Sequence, residues 1–232
     1  MILPAENKNY DNDIILRLSP NRKTAIVEEH KPGHIVAYKE VSVIDLYYAL
    51  IGSFRSPNIL TCGLLPDHCL SVSMGNAEKY LFLWNPELRA DMTYNGVEYP
   101  DFPIPRLVFG VRILDSGKVA DSFIGVVEDE EPTMDTIMYH YPFSNLYPKE
   151  GGRVCTGNNV MPRYRDLRKL SQFPRYLLGL PDNDDFYDSK HNRLELGHRE
   201  LMEHLKDKDP SYYYSDILVP NGRTLFQFIG GR

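Results

Sequence analysis

The stretch Tyr139-His140-Tyr141-Pro142-Phe143-Ser144-Asn145-Leu146-Tyr147-Pro148-Lys149-Glu150-Gly151-Gly152-Arg153-Val154-Cys155-Thr156-Gly157-Asn158 decides how the chain is read. Its start alternates as a strand does, with Ile137, Tyr139 and Tyr141 on one face and Met138 and His140 on the other. Pro142 ends regular pairing, since proline has no amide hydrogen to give a neighbouring strand. An irregular loop follows, turned by Pro148 and Gly151-Gly152, and carries Cys155 between Gly152 and Gly157. Free cysteines are mostly small buried hydrophobes, and only those with a stabilised thiolate react. Residue type alone therefore favours an inert thiol, while the glycine-flanked loop leaves room for a nucleophile.

The pattern around the thiol tips that balance. A strand, then Phe143-Ser144-Asn145, then Gly152-Arg153-Val154-Cys155 resembles the active-site segment of ubiquitin-conjugating enzymes, in which a strand runs into His-Pro-Asn, a short turn and Gly-X-Ile/Val-Cys. Within that superfamily, Glu131 to Asn145 together with Val154-Cys155-Thr156-Gly157 resembles the bacterial conjugating-enzyme-like family D. Leu83-Trp84-Asn85-Pro86 and Phe102 to Phe109 read the same way.

The resemblance implies an α+β fold: an antiparallel β-meander, an active-site cysteine loop and C-terminal helices, here behind an N-terminal α/β extension. It also implies a transferase that takes a ubiquitin-like protein from an ATP-using activating enzyme as a thioester on Cys155, then passes it to an amine or hydroxyl. A thiolate suits that task, being both nucleophile and leaving group. Asn145 matches the family's asparagine, which supports the loop and stabilises the oxyanion. His140 directly precedes the motif and is carried as a third site residue. The implied partners are the ubiquitin-like protein, the activating enzyme and a metalloprotease that removes the modifier; no cofactor, nucleic acid or membrane is expected. Two departures stand out. Phe143-Ser144 replaces His-Pro, and two extra residues separate Asn145 from Cys155.

Composition agrees with a soluble globular chain: 232 residues, 42% apolar and 25% charged. The net charge of −6 argues against nucleic-acid binding by bulk charge. No basic-then-apolar leader and no apolar run of membrane-spanning length occurs. The three cysteines, Cys62, Cys69 and Cys155, are too few for a disulfide scaffold and fit a reducing cytoplasm. Cys62 and Cys69 sit in apolar surroundings and read as structural; with His68 they lack a fourth metal ligand at a recognisable spacing.

Along the chain, residues 14–27 read as a hairpin, with a further short strand near residues 35–38. Ser42 and Asp45 stand at capping-box spacing before a helix ending near Gly52. Short strands follow from Leu60 to Trp84. Asn95-Gly96 signals a tight turn, and the three prolines of Tyr99 to Pro105 exclude a central strand or helix. Leu107 to Leu114 alternates, Asp115-Ser116-Gly117 makes a three-residue hairpin loop, Lys118 to Val127 returns, and Thr136 to Tyr141 completes a meander. Helices are expected at Tyr164 to Leu170 and, more strongly, at Arg199 to Lys206. The expected division is residues 1–80 as the extension and 81–232 as the catalytic domain, with the boundary anywhere from 55 to 100.

Other features carry blander readings beside functional ones. The acidic group Asp182, Asp184, Asp185 and Asp188 is either a solvated loop or a base for an incoming lysine. The basic run from Arg153 to Arg175 is a solvated face or a docking face for an acidic partner. Thr156 offers a hydroxyl for an oxyester beside the thiol, and Gly230-Gly231-Arg232 echoes a modifier tail but reads as a frayed end. Two further function classes remain: a non-catalytic adaptor on the conjugating fold, which the lost histidine supports, and a cysteine hydrolase using Cys155 with His140.

Overall fold

Strand β8 (Leu107–Leu114) lies in the middle of the larger of two units and shows why that unit folds as it does. In the computed structural model, which describes residues 13–19, 22–47, 63–75 and 77–230, the chain divides into residues Met1–Thr61 and Cys62–Arg232. Leu107, Phe109, Val111 and Ile113 enter the main core, as their alternation requires. Val108 on the opposite face is equally buried, so β8 is covered on both sides.

The sheet of this second unit is antiparallel, in the order β11-β10-β9-β8-β5-β4. Its other strands are β4 (Cys69–Gly75), β5 (Glu78–Asn85), β9 (Val119–Val127), β10 (Ile137–Tyr139) and β11 (Pro220–Thr224). The hairpin joining β8 to β9 turns at Gly117, whose φ of +80° suits glycine. Between β5 and β8 the chain makes a separate two-stranded ribbon, β6 (Leu88–Tyr94) and β7 (Val97–Ile104). Asn95 and Gly96 both take positive φ at its tip, the geometry of a mirror-image hairpin turn. The prolines of Tyr99 to Pro105 do not prevent strand formation here. In a two-stranded ribbon each strand has a free edge, where a missing amide hydrogen costs nothing.

The helices lie C-terminal to the meander. The expected helix at Tyr164 to Leu170 is displaced: Leu167–Gln172 forms a 3-10 turn capped by Asp166, and the α-helix α1 runs from Phe173 to Leu178. Pro174 is the reason, because proline is tolerated in a helix's first turn and marks where one begins. Helix α2 (His198–Leu205) places Leu201, Met202 and Leu205 in the main core. Residues Tyr213–Ile217 make one wide helical turn, and α3 (Leu225–Gly230) closes the other face of the sheet with Leu225 and Phe228. That second face is tight. A Cβ at Gly110 would meet the Phe82 ring at 2.8 Å, so only glycine lets the aromatic layer approach β8.

The first unit contains an antiparallel three-stranded sheet of β1 (Asp13–Leu18), β2 (Thr24–Lys31) and β3 (His34–Ser42). Residues 43–47 are helical, with the Ser42 hydroxyl accepting from the Ile44 amide at 3.2 Å. The rest of the expected helix, and Cys62, lie outside the described residues. Among the described residues no helix is long and apolar enough to cross a membrane.

Candidate active site

The site is built from a narrow ribbon that the sheet itself supports. Leu146 and Val154 face each other in antiparallel register; the Tyr147 amide donates to the Arg153 carbonyl at 2.9 Å and the Cys155 amide to the Asn145 carbonyl at 2.7 Å. The two residues by which this loop exceeds the conjugating-enzyme spacing are taken up at the tip, where Lys149, Gly151 and Gly152 all have positive φ. The returning arm docks on β9 beyond the end of β10: the Val154 amide donates to Ser122 and the Ile124 amide to Gly152, each at 2.8 Å. A Cβ on Gly152 would lie 2.3 Å from the Ile124 carbonyl oxygen, so this close approach requires glycine.

Side chains alternate across a paired ribbon, which places Asn145, Tyr147, Arg153 and Cys155 on one face. Tyr147 and Cys155 are diagonal neighbours there, within reach of an aromatic side chain. The Tyr147 hydroxyl neighbours the Cys155 thiol, and that neighbour is the main influence holding the phenol above its ordinary pKa range. Arg153 lies over the Tyr147 ring at 5.2 Å and is anchored by Asp121 and Glu150; Phe186 packs at 5.1 Å.

Asn145 is fixed from the other side. Its φ is +62°, its amide hydrogen goes to the Asp185 carbonyl, and its Nδ2 donates to Asp182 Oδ1 at 2.6 Å. Asp182 is 8% exposed and also accepts from the Ser144 hydroxyl and from the Asn183 amide at 3.0 Å. Burial pushes its carboxyl up to about 6, against the lowering effect of those donors. The tip of the β6–β7 ribbon clamps this segment: the Asp182 amide donates to Thr93 at 2.7 Å and the Asn95 amide to Asp182 at 2.9 Å.

Behind Asp182 lies His198, 4% exposed, with its ring parallel to Tyr187 at 4.5 Å and beside Tyr94 at 4.2 Å. Its nitrogens stand 3.5 Å from Asp182 Oδ2 and 3.4 Å from Asp184 Oδ1, both long for hydrogen bonds. Burial lowers its pKa, so the neutral ring is favoured.

Of the three expected site residues, Cys155 and Asn145 line one small cavity, of about 40 Å³, with Tyr141, Leu177, Leu180 and Asp182. His140 lines a neighbouring cavity of about 370 Å³ with Tyr139, Phe186, Asp188, His191 and Arg223. There its ring stacks on His191 at 4.1 Å, and burial, reinforced by that neighbour, lowers its pKa. Cys155 does not line that cavity; its diagonal neighbour across the ribbon is Tyr147.

The departures from His-Pro-Asn have a physical account. Phe143 is a core residue, edge-to-face on Phe102, Tyr141 and Tyr213. Ser144 donates a hydrogen bond to Asp182 that proline could not make. Asp184 is tied to Tyr94 at 2.7 Å and to Asn95 at 3.1 Å, so two members of the acidic group act within the loop's own scaffold. His198 and His191 carry no sequence signal, because what defines them is contact with residues far along the chain. Among the described residues no cluster of three or more His, Cys, Asp or Glu could hold a metal ion.

The family model for prokaryotic E2 family D, E2 being the ubiquitin-conjugating class, matches residues 47–221, well over half of the chain. No curated protein and no solved structure matches it.

Proposed function

We propose, starting from the fact that the chain belongs to prokaryotic E2 family D, that it carries a ubiquitin-like protein as a thioester on Cys155. An ATP-using activating enzyme supplies the modifier, and a target amine, or a hydroxyl, receives it. The observation that carries this reading is the Cys155 amide bonded to the Asn145 carbonyl at 2.7 Å. That bond sets the half-buried thiol beside the asparagine that matches the family motif, on a ribbon fixed to the sheet.

Chemically, the transfer replaces one acyl bond by another. The thiolate attacks the activated C-terminus of the modifier and later leaves when an amine attacks the thioester. Polar groups at the site are preorganised by Asp182, Ser144 and the β6–β7 tip, so little reorganisation accompanies the reaction. A metalloprotease that reverses the conjugation completes the pathway the family implies.

The test is incubation with ATP and the activating enzyme and ubiquitin-like protein encoded beside the gene, followed by a non-reducing gel. An adduct that disappears with reducing thiol and is absent from Cys155→Ala supports the carrier. The adaptor reading is favoured by one observation, the commitment of the Asn145 amide to Asp182. It requires that wild type form a stable complex with both partners without an adduct, and that Cys155→Ala retain full function.

A further inference from the structure

Within this carrier reading, on which the inference rests, the hydrogen-bond donor at the reacting sulfur remains to be assigned. The family asparagine would be the obvious choice, but here one of its two amide hydrogens ties the side chain to Asp182. Asn145 Nδ2 donates at 2.6 Å to a carboxylate that is 8% exposed, and the backbone of the same residue is held by Asp185. Turning that amide toward the thioester would take one of three donors from a buried carboxylate. Asn145 therefore serves to fix the ribbon.

We propose that Tyr147 is a catalytic residue, whose hydroxyl donates a hydrogen bond to Cys155 Sγ and stabilises the thiolate as it leaves during transfer. Three observations converge on it. The ribbon register makes Tyr147 the diagonal neighbour of Cys155 on the same face, which sets its hydroxyl within reach of the thiol. Its ring is confined between the Arg153 guanidinium at 5.2 Å and Phe186 at 5.1 Å, which fixes where the hydroxyl points. Arg153 is held in turn by Asp121 at 2.9 Å and Glu150 at 2.8 Å. A cation over the ring draws electron density from it and makes the phenol a stronger donor.

In the step itself the acceptor nitrogen forms a C–N bond to the thioester carbonyl carbon. The C–S bond breaks with its electron pair on Sγ, and the proton lost by the amine goes to solvent. Tyr147 keeps its own proton and shares it with the departing sulfur. A donor of this kind acts only on the charge that develops, so it raises the rate of transfer without tightening acceptor binding.

The experiment is single-turnover discharge of the purified Cys155 adduct to free lysine, comparing wild type, Tyr147→Phe and protein carrying 3-fluorotyrosine at 147. Tyr147→Phe removes one oxygen from a partly exposed ring, and its unfolding midpoint should match wild type. We expect the kcat of discharge to fall at least about ten-fold in Tyr147→Phe with the lysine KM unchanged. The fluorinated variant, a stronger donor of the same shape, should discharge at least as fast as wild type. A role in packing alone would leave Phe equal to Tyr. If the adduct forms and Tyr147→Phe discharges at the wild-type rate, the tyrosine assignment is overturned and the carrier reading stands. If wild type forms no adduct, the carrier reading itself fails and this assignment falls with it.

Discussion

Asn145 has three separate attachments: a left-handed backbone, a carbonyl that receives Cys155 and an amide that serves Asp182. Asn145→Ala loses the last of these and strains the first. We expect it to cost on the order of 1–3 kcal/mol of stability, read from the urea midpoint. Gly152→Ala should cost at least about 2 kcal/mol by the same measure, since its Cβ would sit 2.3 Å from the Ile124 oxygen at a φ of +85°. Asp182 makes a prediction with a definite sign. Burial pushes its carboxyl up to about 6 in the folded chain, above the ordinary 3.8, so between those values the folded state binds more protons than the unfolded one. Stability contributed at this site therefore falls as pH rises through that window, by on the order of 3 kcal/mol. His198, whose pKa is lowered, acts oppositely on the same protein, so the clean readout is the difference between wild type and Asp182→Asn. That difference should favour wild type more at pH 4 than at pH 7; an unchanged difference would remove burial as the dominant influence on Asp182. At this scale the motif around Cys155 and Asn145 is legible in the sequence, and the ribbon pairs their backbones although two more residues separate them than in the segment they resemble. Asp182 was legible only as one of an acidic group, since its partner Asn145 lies 37 residues away and no local pattern links them.

The elements were read best where one periodicity governs them. The meander strands alternate, the Asp115-Ser116-Gly117 loop has the glycine its turn requires, and the apolar positions of α2 repeat at helical spacing. Two features escaped that reading. The second core face stayed hidden because β8 reads as a half-buried strand until α3 is seen to cover Val108. The β6–β7 ribbon stayed hidden because its prolines argue against pairing, whereas it needs only one paired edge. The importance of α3 can be measured. Phe228 packs edge-to-face on Phe82 at 5.8 Å and is 3% exposed, so Phe228→Ala should cost about 3–5 kcal/mol in thermal or urea unfolding. A loss within the range of surface substitutions would show that α3 does not hold the second face.

At the scale of the whole molecule, the described fold joins an antiparallel sheet to C-terminal helices and brings one thiol, one tyrosine and one asparagine to a single face of a supported ribbon. The family match starts at residue 47, inside the first unit, and ends at residue 221, within β11. Strands β4 to β10, α1 and α2 therefore lie inside the matched span, β11 straddles its end, and α3 lies outside it. What the sequence could not disclose was which side chains share a face with Cys155, because that depends on the register in which Leu146 pairs with Val154. The measurement that tests the carrier reading most directly is intact-mass analysis of Cys155→Ser after incubation with ATP, the neighbouring activating enzyme and the ubiquitin-like protein. An ester-linked adduct that resists reducing thiol, yields to mild base and maps to residue 155 is the result expected. An adduct that maps to another residue, or a wild-type protein that never gains the modifier's mass, would contradict it.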